Sequence, residues 1–217
     1  VSIRIHPSIL AADFVNIQRE LERISTADAV HVDVMDNHFV PALTFGPQMV
    51  ARIVDVSPIP LDVHLMIEDA DGQASHYAEL GAQSVTFHVE AARDVGRVIA
   101  DIHSHGSAAG IALKPGTALE PYLEFFPQAD LVLIMTVEPG AGGQKFMPEM
   151  MPKLQRVRTY LDEHGLSPLV QVDGGVTLDT LLTAHESGAD TFVAGSSVFG
   201  HGEPSENIEA LRACIPR

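Results

Sequence analysis

The sequence has one cysteine, Cys214, and no tryptophan. A lone cysteine excludes an intrachain disulfide and any cysteine-based zinc site, and it fits a reducing compartment. Its place near the end of the chain suits a structural or incidental role. Aromatic residues make up only 6% of the chain, with Tyr 3 and Phe 9. Core volume must therefore come mainly from Val, Ile, Leu and Met. Positive charge is scarce as well: Lys and Arg number 13 against 29 Asp and Glu, a formal net charge of −16. That balance argues against nucleic-acid binding and against polybasic contact with a membrane. It still permits a phosphate ester, which needs a local trap of backbone N–H groups rather than a positive surface. No apolar run approaches the roughly 20 residues that cross a bilayer, and no signal-peptide pattern opens the chain, so a cytoplasmic location is expected. No Pro/Ser-rich linker, charge block or low-complexity tract marks a domain boundary.

What is present is an alternation. The chain has 217 residues, 46% hydrophobic and 19% charged, enough to bury a sizeable core. Apolar β-type runs fall at 3–10, 30–35, 61–67, 84–89, 109–113, 131–137, 169–172 and 191–194. Helical stretches fall between and after them at 13–24, 46–56, 74–80, 93–105, 119–126, 152–164, 178–187 and 206–214. Asp13 is placed to cap the first helix, whose apolar positions are Phe14, Val15, Ile17, Leu21 and Ile24. Gly81, Gly106 and Gly188 stop later ones. The strands are almost continuously apolar, as parallel strands covered on both faces must be. About eight strand–helix pairs in this length predict an α/β chain folded as a (β/α)8 TIM barrel. It would be one catalytic domain over 1–217, with an open doubly wound sheet as the second choice.

In such a barrel, chemistry sits where strands end and loops begin. Strand two carries His31, Asp33 and Met35, and strand three carries Asp62, His64 and Met66. Residues two apart in a strand point the same way, so each trio can face the interior. Strand seven ends in Asp173, before Gly174 and Gly175. Polar groups inside apolar strands are costly to bury unpaired. They can pair with one another, or a divalent metal can satisfy them. Four at the same end of three strands favour the metal, held by His31, Asp33, His64 and Asp173, a set suited to Zn2+, Fe2+, Mn2+ or Co2+. Asp62 can equally cap a strand start and is left out.

Glycine motifs follow three successive strands: Gly140, Gly142 and Gly143 around Ala141, then Gly174 and Gly175, then Gly195 before Ser196. They offer backbone N–H groups to an anion, or they are ordinary turns. Met35, Met66 and Met135 are either core fillers or the apolar lining of a pocket at the strand ends. His6, His38 and His88 lie near strand ends and can bond local backbone; His76, His103, His105, His164 and His201 are expected at the surface.

Several strings carry a stronger signal together than any does singly. They are Pro7-Ser8-Ile9-Leu10-Ala11-Ala12-Asp13-Phe14, His31-Val32-Asp33-Val34-Met35-Asp36, His38-Phe39-Val40-Pro41, Asp62-Val63-His64-Leu65-Met66, Val137-Glu138-Pro139-Gly140, Gly142-Gly143-Gln144-Lys145-Phe146 and Val172-Asp173-Gly174-Gly175. In these the chain resembles the ribulose-phosphate 3-epimerase family along nearly its whole length. The resemblance implies a ribulose-phosphate-binding barrel that interconverts D-ribulose 5-phosphate and D-xylulose 5-phosphate in the pentose phosphate pathway. It implies one divalent metal on His31, Asp33, His64 and Asp173, with Asp33 and Asp173 also moving the protons. It places Ser8, His64, Gly140, Ala141, Gly142, Gly143, Asp173, Gly174, Gly175, Gly195 and Ser196 against the substrate. It also implies a homo-oligomer, a dimer or a hexamer. Three residues depart from the family's frequent pattern: Asn37 for Gly, Ala42 for Asn and Ala141 for Phe.

The chemistry suits these groups. Loss of the C3 proton beside the C2 ketone gives an enediolate, whose charge a metal stabilises, and two acids on opposite faces exchange the proton. Three rival readings differ in class. A 3-epimerase of a six-carbon ketose phosphate such as D-allulose 6-phosphate would keep the same site. A metal-dependent hydrolase more often opens with His-x-His than with His-x-Asp. A non-catalytic sugar-phosphate sensor would not need two opposed carboxylates.

Overall fold

In the computed structural model, which describes residues 3–215, eight parallel strands alternate with helices in a nearly closed barrel. The strands are β1 Arg4–Pro7, β2 Val30–Met35, β3 Leu61–Met66, β4 Ser84–His88, β5 Ala108–Leu113, β6 Leu131–Met135, β7 Leu169–Asp173 and β8 Thr191–Ala194. The helices are α1 Ile17–Arg23, α2 Pro47–Val56, α3 Ala70–Glu79, α4 Val95–Ser104, α5 Met151–Glu163, α6 Leu178–Glu186, α7 Ser196–Phe199 and α8 Pro204–Ala213. Hydrogen-bonded order runs β1-β8-β7-β6-β5-β4-β3-β2. The seam between β1 and β2 is closed by a single parallel bridge between Ser8 and His31. That bridge brings the end of β1 to the strand that carries Asp33.

The two faces of each strand meet different surroundings. In β2, Val30, Val32 and Val34 join the large core packed under the helices, with Ile53, Leu65 and Val85. The alternate residues His31, Asp33 and Met35 are also buried, but on the inner side. All six residues of β2 and all six of β3 are buried. Register pairs Asp33 with His64 and Met35 with Met66, and on the far side Met135 with Asp173.

Several element boundaries differ from the sequence pattern, each for a local reason. The first strand ends at Pro7 rather than at residue 10, because the Ser8 hydroxyl accepts from the Leu10 N–H at 3.3 Å and turns the chain into a 3-10 helix, Ile9–Ala11. Asp13 does cap, accepting from Val15 N at 3.0 Å, but it starts a 3-10 turn, Phe14–Asn16. Phe14 and Val15 are therefore 44% and 91% exposed instead of facing the core. The third helix begins at Ala70, ahead of the expected residue 74, where Asp69 accepts from Gly72 N. After β5 the connection is 3-10, Glu120–Phe125, hemmed in by Pro121 and Pro127. The short α7, directly after Gly195, was not legible in the apolar period.

Candidate active site

The register places four ionisable side chains on one floor. His31 and His64 are fully buried, Asp33 nearly so, and Asp173 is partly open. One ligand-type atom from each lies within 4.8 Å of the others. His31 Nε2 is 3.4 Å from Asp33 Oδ1 and 3.7 Å from Asp173 Oδ2. His64 Nδ1 is 3.3 Å from Asp33 Oδ1 and 3.5 Å from Asp173 Oδ2.

His31 Nε2 is buried and makes no hydrogen bond. Leaving a buried nitrogen unsatisfied costs on the order of 1–3 kcal/mol. Its other nitrogen, Nδ1, bonds Asp62 Oδ2 at 2.9 Å, so in the neutral ring it is Nε2 whose lone pair faces the carboxylates. This donor set fits a divalent cation: two imidazole nitrogens, two carboxylate oxygens and an outer carboxylate that orients one ring.

Electrostatics agree with the geometry. Burial alone would raise the Asp33 carboxyl, but His31 and His64 beside it more than reverse this and hold it far below the usual range. Burial disfavours charge on His31, yet Asp33 and Asp62 hold its pKa well above the ordinary value. His64 is likewise raised against the pull of burial, by Asp173 and Asp33.

Above this floor lies a cavity of about 940 Å³. Ser8, Asp33, Gly140, Ala141, Gly142, Gly143, Asp173, Gly174, Gly175, Gly195 and Ser196 line it, as do Met35, Met66 and Met135. His64 does not; it lies beneath the lining as part of the floor. The methionines are both buried and pocket-lining, so the two readings of them coincide. Ser8 Oγ donates to Asp33 Oδ2 at 2.5 Å. The loop from Glu138 to Gln144 is clasped by its own Gln144, whose Nε2 donates to Glu138 O at 2.6 Å and Ala141 O at 2.9 Å.

Gly174 and Gly175 have a second reason to be glycine. Their φ angles are 119° and 66°, and a Cβ would collide with the Val137 side chain at the first and with Phe146 N at the second. The bend after β7 is thus pressed against the loop after β6. Asn37 has φ 61°, a left-handed conformation that Asn tolerates better than most residues.

Sequence reasoning passed over an outer ring of polar groups. Asp62 does not cap a strand; it is a buried hub that accepts from His31, from His6 Nδ1 at 2.8 Å, from Gln171 Nε2 at 2.7 Å and from Ser84 Oγ at 2.7 Å. Burial pushes its carboxyl up, but His31 and His6 more than reverse this and hold it well below the usual range. His6 and His88 make no local backbone bonds: His6 pairs with Asp62, and His88 lies between His64 and Glu90. His38 does bond local backbone, at Asp36 O, 2.8 Å away. A signal for the ring existed in the spacing, since Asp62 and His64 share a face, as do Thr86 and His88.

Fold and site define an enzyme class, the (β/α)8-barrel enzymes whose ionisable groups converge under the strand ends. Residues 4–199 match the model of the ribulose-phosphate 3 epimerase family. The chain belongs to that family, whose members are isomerases. It is 50% identical over 208 residues to a ribulose-phosphate 3-epimerase of Mycobacterium tuberculosis, covering 96% of this chain and 91% of that protein. It is 42% identical over 213 residues to one of Bacillus subtilis, covering 97% and 98%. Among solved structures, a 3-hexulose-6-phosphate synthase aligns with TM-score 0.71 at 17% identity, covering 99% of this chain and 100% of that one. KGPDC from Streptococcus mutans aligns with TM-score 0.72 at 14% identity, covering 99% and 97%. At such identities these two bear on the fold alone.

Proposed function

We propose that this chain is a metal-dependent 3-epimerase that interconverts D-ribulose 5-phosphate and D-xylulose 5-phosphate in the pentose phosphate pathway. The observation that carries this reading is the orphaned His31 Nε2, set beside His64 Nδ1, Asp33 Oδ1 and Asp173 Oδ2 on the floor of the cavity. A divalent cation on these four residues, Zn2+, Fe2+, Mn2+ or Co2+, supplies positive charge for the oxygens on which negative charge develops.

The chain's own groups do the rest. Asp33 removes the C3 proton on one face and Asp173 delivers a proton to the other, with roles exchanged in the reverse direction. Ser8 holds Asp33 Oδ2 and so fixes the carboxylate plane. Backbone N–H groups at 174–175 and 195–196 receive the phosphate, as negative overall charge on the protein requires a local trap. The 140–143 loop, clasped by Gln144, excludes water from the enediolate. One catalytic domain over 1–217, a cytoplasmic location and a homo-oligomer, dimer or hexamer, complete the reading. Among the described residues no helix is long and apolar enough to cross a membrane.

A second reading is favoured by one feature. Ala42 and Ala141 present small side chains to the cavity, which leaves room for a longer sugar such as D-allulose 6-phosphate. Comparing kcat/KM on the two sugar phosphates tests the choice. Preference for ribulose 5-phosphate upholds the first reading; preference for the six-carbon ketose phosphate moves the activity to the second; no turnover of either with metal bound refutes both.

A further inference from the structure

Each imidazole of the cluster aims one nitrogen at the carboxylates and one away. For His31 the outward nitrogen is settled directly, by Asp62. For His64 it is not. His64 Nε2 meets another imidazole nitrogen, His88 Nε2, at 3.0 Å. Only one of the two can carry the proton, because two N–H groups would collide and two lone pairs would repel.

The deciding group lies one step further out. His88 Nδ1 is 3.1 Å from Glu90 Oε2. A carboxylate only accepts, so His88 carries its proton on Nδ1 and leaves Nε2 as an acceptor. Glu90 cannot turn away, since its other oxygen accepts from Lys114 N at 2.8 Å and from the Thr117 hydroxyl. The chain of bonds therefore has one direction: His64 Nε2–H to His88, His88 Nδ1–H to Glu90. Neither His88 nor Glu90 lines the cavity, so both act through His64.

We propose that Glu90, acting through His88, is a positioning residue that pins the proton of His64 on Nε2 and keeps His64 Nδ1 as a free ligand atom for a divalent cation. Glu90 does for His64 across two bonds what Asp62 does for His31 across one. The proposal rests on the metal reading of the cluster. It adds that both ligand imidazoles are held in one tautomer by an outer carboxylate.

Glu90→Gln breaks the direction of the chain while keeping its shape. An amide has one oxygen. If that oxygen meets Lys114 N–H, the NH2 group faces His88, whose Nδ1 must now accept. The His88 proton then moves to Nε2, and His64 loses its own proton there. Thr117→Val is the control: it removes one donor to Glu90 but leaves both carboxylate oxygens. Two quantities are measured: 15N shifts of the histidine ring nitrogens in metal-free protein, and the zinc Kd by chelator competition. The expected wild type has His64 Nε2 protonated and His88 Nε2 bare. Glu90→Gln reverses this and weakens zinc about ten- to a hundredfold, and Thr117→Val changes neither. A folded Glu90→Gln with wild-type protonation and wild-type zinc affinity overturns the proposal. So does a wild type with His88 Nε2 protonated, a measurement that needs no variant to fold. A wild type with the expected protons that takes up no zinc overturns the metal reading, and the role of Glu90 with it, and is recognised by its unchanged ring shifts.

Discussion

The inside of the barrel has two unlike halves. On the inner side of β1 to β3 and β7 lie His6, His31, Asp33, Asp62, His64 and Gln171, all buried. On the inner side of β5 and β6 lie Ala112, Leu131, Leu133 and Met135, a small apolar cluster closed by Val137. The apolar half fills volume, and its worth scales with atoms removed from water. The polar half is stable only while every charge keeps its partner, because an unpaired buried charge costs several kcal/mol. The same barrel thus stores stability on one side and reactive groups on the other. The two should fail differently when mutated.

The sharpest way to break the comparison is at the acid–base pair. Asp33→Asn and Asp173→Asn should each lower kcat about a thousandfold, with circular dichroism unchanged. Near-normal turnover by either would remove that residue from the chemistry. The apolar half should give the opposite result. Leu133→Ala should cost about 3 kcal/mol in urea unfolding, with kcat of the folded protein preserved. If it instead abolished turnover at full stability, the two halves would not be separable.

The outer ring supplies a test by pH. Burial would raise the Glu90 carboxyl, but His88, Thr117 and the Lys114 N–H hold it at about 2, against an ordinary value of 4.5. A folded-state pKa below the unfolded one stabilises the fold above about 4.5, and that contribution is lost as pH falls from 4.5 toward 2. Glu90 is exposed, so solvent screens part of that contribution. The stability gap between wild type and Glu90→Gln should be wide at neutral pH and close on acidification. A gap independent of pH would mean that the charge of Glu90 is not what the network uses. The smallest effect is expected at Ser8. Ser8→Ala removes one hydrogen bond to Asp33 and should slow turnover about tenfold, with little change in stability.

How much of this the sequence shows depends on the distance over which each feature is decided. The β/α alternation and the His31-x-Asp33 and Asp62-x-His64 faces are local, period-two patterns, and they were legible. Helix starts at Ile17 and Ala70 were displaced by caps at Asp13 and Asp69, whose side chains bond within three residues but compete with helix propensity. The polar hub was not legible, because its bonds join distant segments: Asp62 meets Gln171 from β7 and His6 from β1. Likewise His88 reads as a strand-end histidine until the barrel sets its ring against His64.

The central claim, a cation-dependent exchange of the C3 proton over this cluster, is tested most directly by incubating ribulose 5-phosphate with metal-loaded and with chelator-stripped protein in D2O. We predict xylulose 5-phosphate carrying deuterium at C3 from the loaded protein only, read by NMR. Epimer formed at the same rate by the stripped protein, with no metal remaining, would contradict it.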